Sequence, residues 1–248
     1  MSRTLYFDPF SGMAGDMIVG ALLSLGAPWG AVEGAVANMA IPNLKVSQSL
    51  CKKGGVAAIK FTVEWSTASP PTHRHLPDIL ELVAKVGLTP RAELWASRAF
   101  EALARAEAKI HAMPAETVHL HEVGAEDSIA DVVAACAALD ALGVEGCAVG
   151  PIATGVGWTV GAHGRLPVPA PATVELLCGF VVEPGPVSEE LTTPTAAALI
   201  CGFEAEPVAK MPRGRLLGVG YGAGTKDLNH PNVLRIMVLE TEDQEGAG

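Results

Sequence analysis

Two histidines and four carboxylates fall within thirteen residues, His119-Leu-His121-Glu122-Val-Gly124-Ala-Glu126-Asp127-Ser-Ile-Ala-Asp131, of an otherwise apolar chain. Imidazole and carboxylate are the donors that hold first-row transition metals. Alternation along a strand puts His119 and His121 on one face. Gly124 then breaks the strand, Asp127 or Ser128 caps a following helix, and Asp131 lies in its first turn. The pattern reads as a metal site of His119 and His121 with one or more of Glu122, Asp127 and Asp131. Glu122 joins them only if the chain turns at Val123, because a regular strand points it the other way. The plainer alternative is structural: Asp127 caps the helix, Asp131 complements its dipole, and the imidazoles sit in hydrogen bonds.

A second chemical stretch is Asp8-Pro-Phe-Ser11-Gly12-Met-Ala-Gly15-Asp16. Asp8 ends an apolar strand, at the edge where open α/β sheets bind ligands. Asp16 falls in the first turn of the next helix. Ser11, Gly12 and Gly15 permit a close turn whose free amides could hold an anion, although no GK[ST] follows to make a P-loop. A capped helix with a dipole-matched Asp16 explains these residues equally well. His163 and Arg165 share a glycine turn, and guanidinium is well shaped for phosphate or carboxylate. Thr192, Thr193 and Thr195 begin a helix, as caps first and as phosphate ligands second. His73 and His75 flank Arg74 in a proline-rich loop and read as solvated, with a mobile metal-relay site as the alternative. The run Gly218–Asp227 suits a loop over a substrate better than a dinucleotide motif. No GxSxG elbow is present, and Cys136 lies in an apolar helix as a structural thiol.

These groups need a scaffold. Leu5–Phe7 reads as a buried first strand, followed by helices to about Leu25 and from Pro28 to about Met39. Lys45–Lys53 and Ala57–Trp65 form a hairpin about Gly54-Gly55. Helices follow at 77–86 and 90–110, each opened by proline, then the His119 strand and a helix over 127–142. Cys147–Ile152 is a strand, Gly155–Gly164 a turn or hairpin, 172–178 and about 192–201 helices, and 180–183 a short strand. Leu216–Tyr221 and Val233–Leu239 are read as closing strands. The expected class is α/β, a mixed sheet flanked by helices with a β-hairpin near 45–65, or α+β if the hairpin dominates. One domain is expected over 1–240, with two lobes near 1–113 and 114–240, and a frayed polar tail over 241–248.

Composition narrows the function. With 248 residues, 49% hydrophobic, the chain has material for a substantial core. Its mean hydropathy is +0.32, yet no apolar run reaches membrane-spanning length. The formal charge of −10 comes without any Lys/Arg cluster, which argues against nucleic acid and suits metal cations. Five scattered cysteines with no CxxC pair fit a reducing compartment. The start runs straight into a strand pattern without a signal peptide. A soluble cytoplasmic protein, a homo-oligomer without nucleic acid or membrane, is expected.

Several phrases together carry a resemblance. They are Tyr6–Met17, Ala106–His111, Val118–Ala125, Asp127–Asp131, His163–Thr173, Glu190–Thr195, Gly220–Thr225 and Pro231–Arg235. From Leu5 to about Glu240 the chain resembles the LarC family of nickel-insertion proteins, the pyridinium-bisthiocarboxylate mononucleotide nickel chelatases. The resemblance implies nickel insertion into a pyridinium mononucleotide bearing two thiocarboxylates. The product is the nickel-pincer nucleotide cofactor of lactate racemase, with nickel–sulfur bonds and a nickel–carbon bond. It further implies CTP with a divalent metal, used by a C-terminal domain that is expected to be absent here. Partners would then be that CTP-binding part or a longer translation product, and apo lactate racemase. On this reading His119 and His121 bind Ni²⁺, and Glu122, Asp127 and Asp131 complete or orient the site. Glu122, or else Asp16, takes the ring proton. Phosphate rests on the Gly12–Gly15 amides or the Thr193–Thr195 helix start, with Arg165 or Lys226 nearby. The family often has a long His-rich run where only His73 and His75 stand here, and Ala196 replaces a common glycine. Two other readings compete: a metallochaperone without its own catalysis, and a metal-dependent phosphohydrolase with Asp8, Asp16, His119 and Asp131 around two metals.

Overall fold

The computed structural model describes residues 2–65, 74–118, 120, 125–161 and 164–241. His73, His119, His121, Glu122, Gly124 and His163 lie outside the described residues. The elements are, in chain order, β1 (Ser2–Asp8), α1 (Gly15–Ser24), α2 (Trp29–Asn38), β2 (Leu44–Lys53), β3 (Val56–Trp65), α3 (Leu76–Val86) and α4 (Pro90–His111). There follow α5 (Glu126–Ala141), β4 (Gly146–Val149), β5 (Ile152–Ala153), β6 (Gly157–Gly161), β7 (Gly164–Val168) and α6 (Pro171–Leu176). The chain continues through β8 (Val182–Glu183), α7 (Pro194–Gly202), β9 (Glu206–Pro207), β10 (Arg215–Ala223) and β11 (Val233–Thr241).

Seven strands form one mixed sheet in the order β2-β3-β10-β11-β1-β4-β9. The hairpin β2–β3 is antiparallel, and β3 then runs parallel to β10. β11 is antiparallel to both β10 and β1, while β1 is parallel to β4 and β4 to β9. The two strands expected to close the sheet are therefore central to it. The apolar run of β11 is long because both neighbours and the helical layer bury it, with Val233, Leu234, Ile236 and Leu239 at most 1% exposed, whereas β10 leaves Leu216, Leu217 and Val219 exposed.

The helical layer stacks α1 on β10 and β3, with α5 behind α1 and against α2, α4 and α7. Glycine sets the first spacing: a Cβ on Gly222 would lie 1.8 Å from the Met17 carbonyl oxygen, and one on Gly220 2.3 Å from that of Ala21. Alanine sets the second, since α5 is Ala-rich and buried along most of its length. The main core joins both ends of the chain, Leu5 and Phe7 with Leu234 and Ile236, through Phe100 and Ile129.

Local differences have local causes. Helix α5 begins at Glu126 with extended Ala125 as its N-cap, so neither Asp127 nor Ser128 caps it and Asp131 falls in the second turn. Val118 and Leu120 belong to no strand; the Leu120 amide bonds instead to the Arg74 carbonyl at 3.4 Å. Glu206–Pro207 adds an edge strand that its brevity hid. No described helix is long and apolar enough to cross a membrane.

Candidate metal and substrate site

The turn before α1 closes with Gly12 at φ +76°, its amide bonded to the Pro9 carbonyl at 2.9 Å. A left-handed residue there favours glycine, and the space does too, since a Cβ would collide with Leu191. The helix itself begins without a side-chain cap at Ala14. The cap comes from another element: the Asp131 carboxylate, on α5, accepts the Asp16 backbone N–H. Gly15 makes room for it, because a Cβ there would stand 2.5 Å from Asp131 Oδ2. The anion expected at these amides is thus, at Asp16, one of the chain's own carboxylates.

Asp131 has a buried Oδ1 with no hydrogen-bond partner among the described residues. Burial pushes its carboxyl well above the usual range, and the charges of Asp16 and Asp127 push the same way; Lys60 and the Asp16 amide oppose them. A folded-state value above the unfolded one favours folding most at acid pH. That contribution is lost as pH rises through the folded value. In metal-free protein, Asp131→Asn keeps an oxygen for the Asp16 amide and removes the buried charge. The variant is expected to be more stable than the parent at neutral pH. The difference should vanish below about pH 4, the unfolded carboxyl value, in denaturant titrations across that range.

Lys60 is the cation at this centre. It is the lone basic residue of β3. Its ammonium forms an ion pair with Asp16 Oδ2 and bonds to Thr225 Oγ1 at 2.7 Å. The loop after β10 is tied down around it. Lys53 Nζ bonds to the Thr225 carbonyl at 3.1 Å and to Asp227 Oδ1 at 2.6 Å. Lys226 Nζ reaches Glu189 Oε2 at 2.9 Å and the Glu190 carbonyl at 3.2 Å. Farther along, His230 Nε2 is 2.8 Å from the buried Ser11 Oγ. The loop therefore lies beside the α1 turn at two points, Thr225 and His230.

The start of α7 meets the same turn. The Thr193 amide bonds to the Met13 carbonyl at 3.0 Å, and Thr193 Oγ1 caps the helix through the Ala196 amide at 3.3 Å. Thr195 is buried in its first turn. The structure thus brings together Ser11, Gly12, Gly15, Asp16, Asp131, Thr193 and, through Glu189 and Glu190, Lys226. It places two other candidates differently. Asp8 accepts from Arg235 Nε at 2.8 Å in a cross-strand pair, and it is not among the charges acting on Asp131. Arg165 sits on the β6–β7 hairpin with its guanidinium 4.7 Å from the Trp158 ring centroid. Asp127 Oδ1 accepts the Ser128 amide at 2.8 Å, near enough to Asp131 to act on it.

A buried ion pair fixes the start of α5. Arg74 Nη1 lies 3.0 Å from Glu126 Oε1, with side chains 14% and 3% exposed. His75 Nδ1 is 3.3 Å from the Val118 carbonyl oxygen. These contacts join the segment before α3 to both flanks of the His119 cluster. Among the described residues no three His, Cys, Asp or Glu side chains form a metal-holding group; His119, His121 and Glu122 lie outside them.

A family model described as nickel insertion protein matches residues 5–247. The chain belongs to the nickel insertion protein family. A putative nickel insertion protein of Geobacter metallireducens is 43% identical over 97% of this chain and 62% of its own length. A pyridinium-3,5-bisthiocarboxylic acid mononucleotide nickel insertion protein of Staphylococcus epidermidis is 38% identical over 99% of this chain and 61% of its own. One of the same name from Geobacillus kaustophilus is 39% identical over 96% and 60%. The chain thus spans about three fifths of these nickel insertion relatives. No solved structure matches.

Sequence reasoning missed Lys60, His230 and the ion pair of Glu126. Lys60 had a signal, a solitary cation inside the apolar strand Val56–Trp65. Glu126 had none, because its ion partner Arg74 is distant in the chain. His230 had none either, since its contact Ser11 is 219 residues away in the chain.

Proposed function

We propose that this chain is the metal-handling part of a nickel insertase acting on pyridinium-3,5-bisthiocarboxylic acid mononucleotide, yielding the nickel-pincer nucleotide cofactor of lactate racemase. The family relationship supports the metal and the substrate. The observation that carries the site is Asp131, whose carboxyl caps α1 through the Asp16 amide while its buried Oδ1 has no hydrogen-bond partner among the described residues. The partly exposed Asp16 carboxylate acts on it, and the His119–Glu122 segment precedes it closely in the sequence. Imidazole and carboxylate suit Ni²⁺.

In this reading His119, His121 and Asp131 receive Ni²⁺, with Asp127 orienting. The two thiocarboxylate sulfurs of the substrate take up the metal. The ring carbon between them exchanges its proton for nickel, so a base must accept one H⁺ as the carbon–nickel bond forms. Glu122 is the first choice and Asp16 the second. The substrate phosphate sits against the Gly12–Gly15 turn and the Thr193 helix start, with Lys226 at the rim. The relatives' greater length supports a division of labour, in which a further CTP-binding part completes the activity. It equally supports a second reading, a nickel carrier whose catalysis resides in that part.

Incubating the chain with Ni²⁺, substrate and CTP, with and without the CTP-binding part, tests both. Nickel-containing nucleotide, detected by mass spectrometry, is expected in the complete mixture. Product from the chain alone excludes a pure carrier. Absence of product from the complete mixture contradicts the insertase reading.

A further inference from the structure

We propose that Lys60 is a resident cation of the acidic site, displaced from Asp16 by the arriving metal and thereby freed to hold the anionic substrate. The inference rests on the metal reading above and adds a residue and an order of events to it. The Lys60 ammonium holds Asp16 and the Thr225 hydroxyl at once. Its side chain is 20% exposed and that of Asp16 21%, so both can be reached from solvent. Behind them the Asp131 carboxylate accepts the Asp16 amide, and its Oδ1 has no hydrogen-bond partner among the described residues.

A divalent cation seated at Asp131 that also draws in the neighbouring Asp16 carboxylate needs several oxygen or nitrogen donors at about 2.0–2.2 Å. It repels an ammonium held on the same oxygens. Loading therefore requires Lys60 to leave Asp16. Its four-carbon stem is flexible, and Thr225 already anchors the amine on the rim loop. From there the charge stays beside the α1 start, one part of the phosphate seat read above. Metal loading and substrate capture become coupled: the ion that enters releases the cation that binds the anion.

Two measurements test this on the intact chain. In calorimetric titrations with NiCl₂, Lys60→Met is expected to bind about tenfold more tightly than the parent, because no ammonium has to be expelled. Nicotinic acid mononucleotide serves as a stable pyridinium probe. Ni²⁺ should strengthen its binding severalfold to the parent and not to Lys60→Met. The second measurement uses the parent alone: amine labelling with an acylating reagent, mapped by peptide mass spectrometry, should rise at Lys60 when Ni²⁺ saturates the protein. Equal or weaker Ni²⁺ affinity in Lys60→Met, or labelling indifferent to Ni²⁺, overturns the inference while nickel binding by the parent stands. A folded parent that binds no Ni²⁺ overturns the metal reading itself, and this inference with it.

Discussion

Replacing Asp16 with asparagine is expected to lower nickel insertion by about a hundredfold or more, the usual scale for losing a positioned carboxylate in proton transfer or metal binding. The fold should survive. Asp16 and Lys60 are each about one-fifth exposed, and partly solvated ion pairs contribute little, on the order of 1 kcal/mol or less. The backbone amide that anchors Asp131 is unchanged by the substitution. Activity and stability should therefore separate: product formation collapses while the urea midpoint moves slightly. An insertion rate within a factor of three of the parent would remove Asp16 from the reacting groups.

Arg74→Ala should show the largest loss of stability. Glu126 is almost sealed from solvent, Arg74 meets its Oε1, and Oε2 has no hydrogen-bond partner among the described residues. Removing the guanidinium strands a buried carboxylate, at about 3–5 kcal/mol. The double variant Arg74→Met with Glu126→Gln removes both charges and should recover much of that loss, since buried ion pairs exchange for neutral groups at small cost. Insertion should suffer in the single variant as well, because the Arg74 carbonyl also holds the Leu120 amide beside the His119 cluster. Equal stability of Arg74→Ala and the parent, by denaturant titration, would show that the pair does not secure this corner.

Much of the scaffold was legible because it follows local rules. Gly54-Gly55 announced the hairpin, the prolines at Pro77 and Pro90 announced two helix starts, and apolar runs located β1 and β11. Strand order was not legible. The central position of β10 depends on Gly220 and Gly222 admitting α1, a close approach that sequence shows only as three spaced glycines. The site divided in the same way. Asp16 and Asp131 could each be singled out from neighbours in sequence, but their meeting depends on α5 packing behind α1. Lys60 comes from a strand that is 44 residues away from Asp16 in the chain. Asp8 illustrates the converse: its place at a strand end suggested a ligand, while the register that sets it opposite Arg235 gives it a partner.

The most direct test of the account is nickel K-edge X-ray absorption on the loaded chain, compared with the His119→Ala/His121→Ala variant. The account predicts a first shell of nitrogen and oxygen with imidazole outer-shell scattering in the parent, and loss of that scattering with loss of stoichiometric nickel in the variant. Identical spectra and stoichiometry in the two proteins, or a sulfur-dominated first shell before substrate is added, would contradict it.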